Sequence, residues 1–236
     1  MNAARDAMDH VATHAMQLRS DQDLRWLDDH FAPDVDARGV TFPVTRRCEF
    51  LAGRYCAQQA LQQIVSPPIP WIPAGHDRSP RWPDGIVGSI THTTDYVAAA
   101  VARSDRIGAL GIDSESLLPA TVVREMAALV AYPEELALFR SAAPSLAEAR
   151  VAVTLCFSMK ESLFKCLYPL TQRYVDFLSA QIIAVHAETG TLRLTLCAAW
   201  SDRFPAAWAC DGGFRLDGSR VHTWVALPAS SRRMPS

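Results

Sequence analysis

The sequence predicts an α+β protein built from two halves of similar size that meet near residues 115–120. Three observations carry this expectation. Strand-like apolar sequence gathers at 88–113, helix-forming sequence fills the chain from about 119 to 169, and alternating strand sequence returns after 176. The 236 residues, 49% of them hydrophobic, suffice for a sizeable core in one large domain or two small ones.

In chain order, TRRCEFLAGRYCAQQALQQI at 45–64 reads as a helix, with Thr45 as N-cap and Cys48, Leu51, Tyr55 and Leu61 near helical spacing. The prolines of VSPPIPWIPAGHDRSPRWPDG at 65–85 leave only loop or extended chain. In GSITHTTDYVAAAVA, at 88–102, the second half is strand-like, and a further strand at about 107–113 is close enough to pair with it as a hairpin. TVVREMAALV, PEELALFRSAA and LAEARVAVTLCFSMKESLFKCLYPL read as successive helices, the last long and ending near Pro169. DFLSAQIIAVHAETGTLRLTLCAAW alternates as two strands around the turn Glu188-Thr189-Gly190, RVHTWVALP adds a strand, and SSRRMPS reads as a disordered tail. No repeat relates the two halves in sequence.

Composition excludes several classes. A net charge of −2 gives no bulk attraction to nucleic acid or anionic membrane. No run reaches the ~18 apolar residues of a membrane helix. The polar start MNAARDAMDHVATH lacks the basic and apolar regions of a signal peptide. The six cysteines form no C-x-x-C pair and sit mostly in apolar segments, as expected of reduced thiols in a cytoplasmic protein without a zinc site.

The charges that remain inside apolar sequence are the informative ones. GALGIDSESL at 108–117 ends an apolar strand with Asp113 and Glu115, which as i and i+2 share a face. Two like charges at the edge of a core need something positive between them; otherwise they end the strand facing water. FSMKESLFKC at 157–166 places Glu161 and Lys165 one helical turn apart, a spacing common on solvated helix surfaces. Here the helix is apolar nearly all round, so it is substantially buried and its charges need partners. Glu161 joined to Asp113 and Glu115 makes three carboxylates, a usual complement for Mg²⁺, which prefers to share its site with phosphates. GSITHT at 88–93 puts Ser89, Thr91 and His92 after a turn, where hydroxyls, imidazole and backbone N–H groups can bind phosphate. Arg46, Arg47, Arg54, Arg78 and Arg81 precede it, solvated charges unless an anion joins them.

Taken together, these stretches resemble the 4′-phosphopantetheinyl transferases, most closely the enterobactin synthetase component D-like branch; the surfactin-type enzymes share the core motifs. The family pattern G-[IV]-D-x-E, followed about 40–45 residues on by W-[SA]-x-K-E-[AS]-x-x-K, stands here as Gly111-Ile112-Asp113-Ser114-Glu115 and Phe157-Ser158-Met159-Lys160-Glu161-Ser162-Leu163-Phe164-Lys165. Phe157 replaces the usual Trp, which keeps an aromatic ring and loses no charge. RRCEFLAGR (46–54), RWPDGIVGSITHT (81–93) and LYPLTQRYVDF (167–177) extend the likeness over most of 45–185.

The resemblance implies transfer of the phosphopantetheine arm of coenzyme A to a serine of an acyl, peptidyl or aryl carrier protein, with release of adenosine 3′,5′-bisphosphate. It implies two similar α/β subdomains related by a pseudo-twofold, with the active site between them. The expected division is an N-terminal subdomain 1–117 with the coenzyme A-binding loops and first metal carboxylates, a C-terminal subdomain 118–229 with the helix of Lys160, Glu161 and Lys165, and a tail 230–236. Asp113, Glu115 and Glu161 would hold Mg²⁺, with Mn²⁺ as a substitute, and Asp113, Glu161 and Lys165 would carry catalysis. Glu161 would act as base, directly or through a metal-bound water. Lys165 would contact the diphosphate, and Lys160 would do likewise or support the site.

Ser89, Thr91 and His92 would hold the coenzyme A phosphates or ribose, Arg46, Arg54 and Arg78 the 3′-phosphate end, and Tyr174 would line the pantetheine path. A cytoplasmic monomer serving secondary metabolism, binding neither nucleic acid nor membrane, is the expected setting. Two other readings differ in outcome. A coenzyme A-binding regulator without activity would bind but not transfer, although every motif acid and lysine is present. A metal-dependent phosphohydrolase would share the carboxylates but need no carrier.

Overall fold

The structure, a computed structural model, describes residues 3–18, 21–31 and 44–229. They form two compact units, one of His10–Gly108 with Pro228 and Ala229, the other of Ala109–Leu227 with the residues up to Asp9. The tail expected at 230–236 lies outside the described residues. The change of unit falls between Gly108 and Ala109, inside a strand, so Asp113 and Glu115 go with the second unit, whereas a division at 117 would assign them to the first.

In the first unit, strands β1 (Val11–Gln17), β2 (Ile86–His92) and β3 (Tyr96–Arg103) make an antiparallel sheet in the order β1-β3-β2. Ile86 pairs with Arg103 and His92 with Val97 across the β2–β3 hairpin. Helix α2 (Asp21–Phe31) and the 18-residue α3 (Val44–Leu61) complete the unit, preceded in the chain by the short α1 (Ala3–Asp6). Helix α3 buries Leu51, Ala52, Cys56, Ala57, Ala60 and Leu61 in one core with Leu27 and Phe31 of α2 and with Val97, Ala99 and Val101 of β3. The helix starts at Val44, so Thr45 lies within it and is not its cap. The Pro-rich stretch after it holds only an isolated bridge, Ala74 to Pro80.

The second unit carries a five-stranded antiparallel sheet in the order β4-β8-β7-β6-β5, formed by Ile107–Ser116, Arg220–Pro228, Ala209–Asp217, Thr191–Leu196 and Ala180–His186. The hairpin expected between 88–102 and 107–113 does not form. Both edges of β3 are taken, by β1 and β2, and β4 pairs with β8 instead. The Glu188-Thr189-Gly190 turn joins β5 to β6 as expected, with Gly190 at φ +61°. Helices α4 (Val123–Val130), α5 (Pro133–Ala142) and the 23-residue α6 (Ala149–Thr171) follow the three helical segments read from the sequence. Helix α6 runs past Pro169 to a left-handed cap at Gln172.

The α+β class thus holds, with a long helix laid on an antiparallel sheet in each unit. Leu155, Met159, Leu163, Cys166 and Leu167 of α6 sink into the second core. All six cysteines are free thiols: Cys56, Cys156, Cys166 and Cys210 are buried, while Cys197 is exposed. Among the described residues, no helix is long and apolar enough to cross a membrane.

Candidate active site

The second unit's site begins with a glycine. A Cβ on Gly111 would lie 2.0 Å from the Ser162 carbonyl oxygen and 2.5 Å from the Cys166 amide nitrogen. Only a residue without a side chain lets the backbone of α6 approach β4 this closely. That approach carries Glu161 and Lys165 to the acidic end of β4, which begins two residues later. Lys165 Nζ donates to Asp113 Oδ1 at 2.6 Å. Helical spacing pairs Lys165 with Glu161, but the observed partner is the strand acid, because α6 lies against β4 at this point.

Asp113 is buried, 3% exposed, and Glu115 and Glu161 are half-buried. The four groups form one electrostatic neighbourhood. Burial chiefly, then the Asp113 charge and, more weakly, that of Glu161, push the Glu115 carboxyl up to about 7, against the pull of Lys165. Burial also raises Glu161, again with Lys165 opposing and Asp113 adding. The positive charge between the strand acids and the helix acid is therefore, in the protein itself, the Lys165 ammonium. One lysine facing three carboxylates leaves the cluster short of positive charge.

This imbalance bears on a metal ion. The donors are all carboxylate oxygens, the hard set that suits Mg²⁺. Among the described residues, no group of three carboxylate, imidazole or thiol side chains is placed to hold a metal ion. The carboxylates suit a hard divalent cation in donor type and charge, the chemistry of an ion that keeps waters and shares substrate phosphates.

A pH effect follows from Glu115. Its carboxyl binds a proton more tightly folded than unfolded, so between its ordinary value of 4.5 and about 7 the native state holds the extra proton. Without divalent ions, stability gained from this group below that window is lost as pH rises through it. The Glu115→Gln variant lacks this loss. Its melting temperature is expected to gain on the parent's between pH 5 and 8, measured with chelator present; a constant difference would contradict the shift.

Lys160, expected to touch ligand phosphates or support the site, is buried and its ammonium is bonded to protein. Its Nζ donates to Glu135 Oε2 at 2.9 Å and to the Val130 carbonyl oxygen at 2.9 Å. Tyr174 is 70% exposed and stacks on Phe164 and Tyr168, with ring centroids 5.9 and 5.0 Å away. It borders a cavity of about 220 Å³ with Lys160, Glu161, Phe164, Phe177 and Trp200. Phe157 packs against Phe177, its ring centroid 5.3 Å away.

In the first unit, Ser89, Thr91 and His92 do not form one loop cradle. They lie on β2, where alternation sends Ser89 and Thr91, both buried, to one face and His92 to the other. His92 meets α3: Arg46 donates to its Nε2 at 2.8 Å and to Glu49 at 3.1 Å. The ring's Nδ1 lies 3.7 Å from Glu49 Oε2. Arg47 is occupied by Asp28 of α2.

Arg54, one turn after Phe50, is 4% exposed with its guanidinium 4.5 Å above the Phe50 ring. Its Nε has no hydrogen-bond partner among the described residues, and burial lowers it to about 10. Burying a cation without a carboxylate partner is costly. Arg78 stands apart on the exposed Ala74–Pro80 turn, at a left-handed φ of +67°.

With this geometry in view, comparison with known proteins is specific. Residues 42–102 match the model of the 4′-phosphopantetheinyl transferase N-terminal domain, and residues 109–214 that of the 4′-phosphopantetheinyl transferase superfamily. The second match starts where the second compact unit does. The chain is 40% identical over 189 residues to the 4′-phosphopantetheinyl transferase Svp of Streptomyces mobaraensis, covering 78% of this chain and 70% of that one. It is 36% identical over 170 residues to the 4′-phosphopantetheinyl transferase PptT of Mycobacterium tuberculosis, covering 71% and 67%. It is also 36% identical over 164 residues to the enterobactin synthase component D of Escherichia coli K12, covering 70% and 71%.

Proposed function

The chain belongs to the 4′-phosphopantetheinyl transferase superfamily, enzymes that act on carrier proteins with coenzyme A, and on that premise we propose how its residues share the reaction. The observation that carries the reading is the Lys165–Asp113 contact, made where Gly111 lets α6 approach β4.

In the reaction, a carrier serine oxygen forms a bond to the phosphorus that bears the pantetheine arm. The bond from that phosphorus to the bridging oxygen breaks, and adenosine 3′,5′-bisphosphate leaves. Glu161 takes the serine proton; burial makes its carboxylate more basic than an exposed one, which suits a base at neutral pH. Lys165 transfers its hydrogen bond from Asp113 to a phosphoryl oxygen as negative charge grows there. Asp113, Glu115 and Glu161 would hold Mg²⁺ or Mn²⁺, which supplies charge neutralisation on the diphosphate. Turnover is expected to fall to background with excess chelator and to return with Mg²⁺; unchanged turnover in chelator would remove the metal from the reading.

Arg54 and Arg46 with His92 hold the phosphates at the adenosine end of coenzyme A, and Arg78 adds charge from its exposed turn. Tyr174 borders the pantetheine path. A buried guanidinium without a counter-ion destabilises the ligand-free fold, so Arg54 separates binding from stability. Arg54→Met is expected to raise the ligand-free melting temperature while weakening coenzyme A binding by about 10- to 100-fold. A variant that binds as the parent does would take Arg54 out of the site. We place the enzyme in the cytoplasm as a monomer, modifying acyl, peptidyl or aryl carriers of secondary metabolism. The name of the relative enterobactin synthase component D favours that setting.

A further inference from the structure

Glu161 stands immediately after Lys160 on α6, yet the Lys160 ammonium is bonded to Glu135 and to the Val130 carbonyl. We propose that Lys160 and Glu135 are positioning residues for arm transfer: their buried ion pair fixes the rotation of α6 on which Glu161 and Lys165 are presented. The proposal rests on the reading that Glu161 and Lys165 act on the phosphoryl group.

The pair's side chains are 2% and 0% exposed. Glu135 Oε2 accepts from Lys160 Nζ at 2.9 Å and from the Tyr132 amide at 2.6 Å, while its Oε1 accepts from the Ile182 amide at 2.7 Å. One carboxylate thus ties the start of α5 to β5 and to α6. Lys160 adds the Val130 carbonyl at the end of α4, and the Tyr132 ring centroid lies 5.5 Å from Nζ. An ammonium has three N–H groups. Two are committed to protein oxygens and the ring lies beside the nitrogen, so Lys160 chiefly holds protein, although it also lines the cavity bordered by Glu161 and Tyr174.

Stability alone does not call for such a pair. Well-packed apolar residues of similar volume serve a buried position as well or better. What a hydrogen-bonded pair adds is direction, since it fixes four elements at defined atoms. Its influence on Glu161 is geometric. Burial chiefly, then the charges of Lys165 and Asp113, set the direction of the Glu161 shift.

The test replaces the whole pair, Glu135→Leu with Lys160→Met, so that no buried charge is left alone. Melting temperature, coenzyme A affinity, and kcat and KM for arm transfer are measured on the full chain. The expected result is parental melting and coenzyme A affinity with kcat lower by about 100-fold, the cost of a displacement near 1 Å at a reacting group. Parental kcat in the folded double variant would overturn the proposal. So would a raised KM for coenzyme A at parental kcat, which would make Lys160 a ligand contact. If the double variant does not fold, Glu135→Asp keeps the charge but shortens its reach. In that variant kcat is expected to fall about 10-fold with KM unchanged, and parental kcat would again overturn the proposal. Glu161→Gln run alongside separates the two claims. If that variant transfers at the parental rate, the reading of the site fails; if it is inactive while the pair variants are fully active, only the positioning role fails.

Discussion

Replacing Asp113 by Asn or Glu161 by Gln is expected to lower arm transfer by about 10³-fold each, with the fold intact. Both substitutions keep shape and remove one negative charge. Asp113→Asn takes the counter-ion from Lys165, whose ammonium is 2.6 Å from Oδ1. Glu161→Gln removes the group placed to take the serine proton. Neither change empties core volume, so unfolding transitions stay close to the parent's. The reading also predicts how they combine. Residues acting as one catalytic unit are strongly non-additive, so the double variant is expected to be little worse than the poorer single one. Rates measured on a single apo carrier would show this directly. Two losses that multiply in full would mean that Asp113 and Glu161 serve separate steps.

Gly111→Ala is expected to be severely damaging for a change of one methyl group. The new carbon would sit 2.0 Å from the Ser162 carbonyl oxygen and 2.5 Å from the Cys166 nitrogen, both main-chain atoms of α6. Flexible side-chain ends can yield to a clash, but a helix backbone yields only by moving as a body. Overpacking of this kind costs about 3 kcal/mol, and the helix shift carries Glu161 and Lys165 away from Asp113, lowering transfer by about 100-fold. Gly218→Ala is the control. Its φ of +59° makes alanine unfavourable, but no atom lies within 4 Å of the added carbon. It is expected to cost about 1 kcal/mol and to leave transfer unchanged. Equal behaviour of the two variants in denaturant and in turnover would show that α6 does not depend on contact with β4.

What the sequence makes legible follows from where its signals are local. Helix α6 and the end of β4 are readable because an apolar helix and an apolar strand each carry charges that cannot be buried alone. Lys165 bonds to Asp113 and not to the Glu161 that helical spacing gives it, a pairing set by the contact of α6 with β4. Ser89, Thr91 and His92 look like a loop cluster because glycine, serine and threonine are turn-forming types. The strand pairing of β2 with β3 overrides that preference and separates their side chains.

Strand β7 escapes a periodicity reading for a related reason. Its centre is Gly212 and Gly213, which leave room for Met159 and for the Trp224 ring, so the positions that matter most for packing bear no side chain. Strand β1, VATHAMQ, lies at a sheet edge and mixes polar with apolar residues, and α2 is short and polar. Glu135 carries no distinguishing signal. An acid in the first turn of a helix is commonplace, and only the fold places Lys160 and the Ile182 amide around it.

The central claim is that this chain moves a phosphopantetheine arm from coenzyme A to a carrier serine, using the Asp113–Glu115–Glu161–Lys165 cluster. Intact-mass spectrometry of an apo carrier protein, incubated with coenzyme A, Mg²⁺ and either the parent or Glu161→Gln, tests it most directly. The account predicts a gain of one phosphopantetheine arm with the parent and none over the same time with the variant. A carrier left unmodified by a parent protein that still binds coenzyme A, or fully modified by Glu161→Gln, would contradict it.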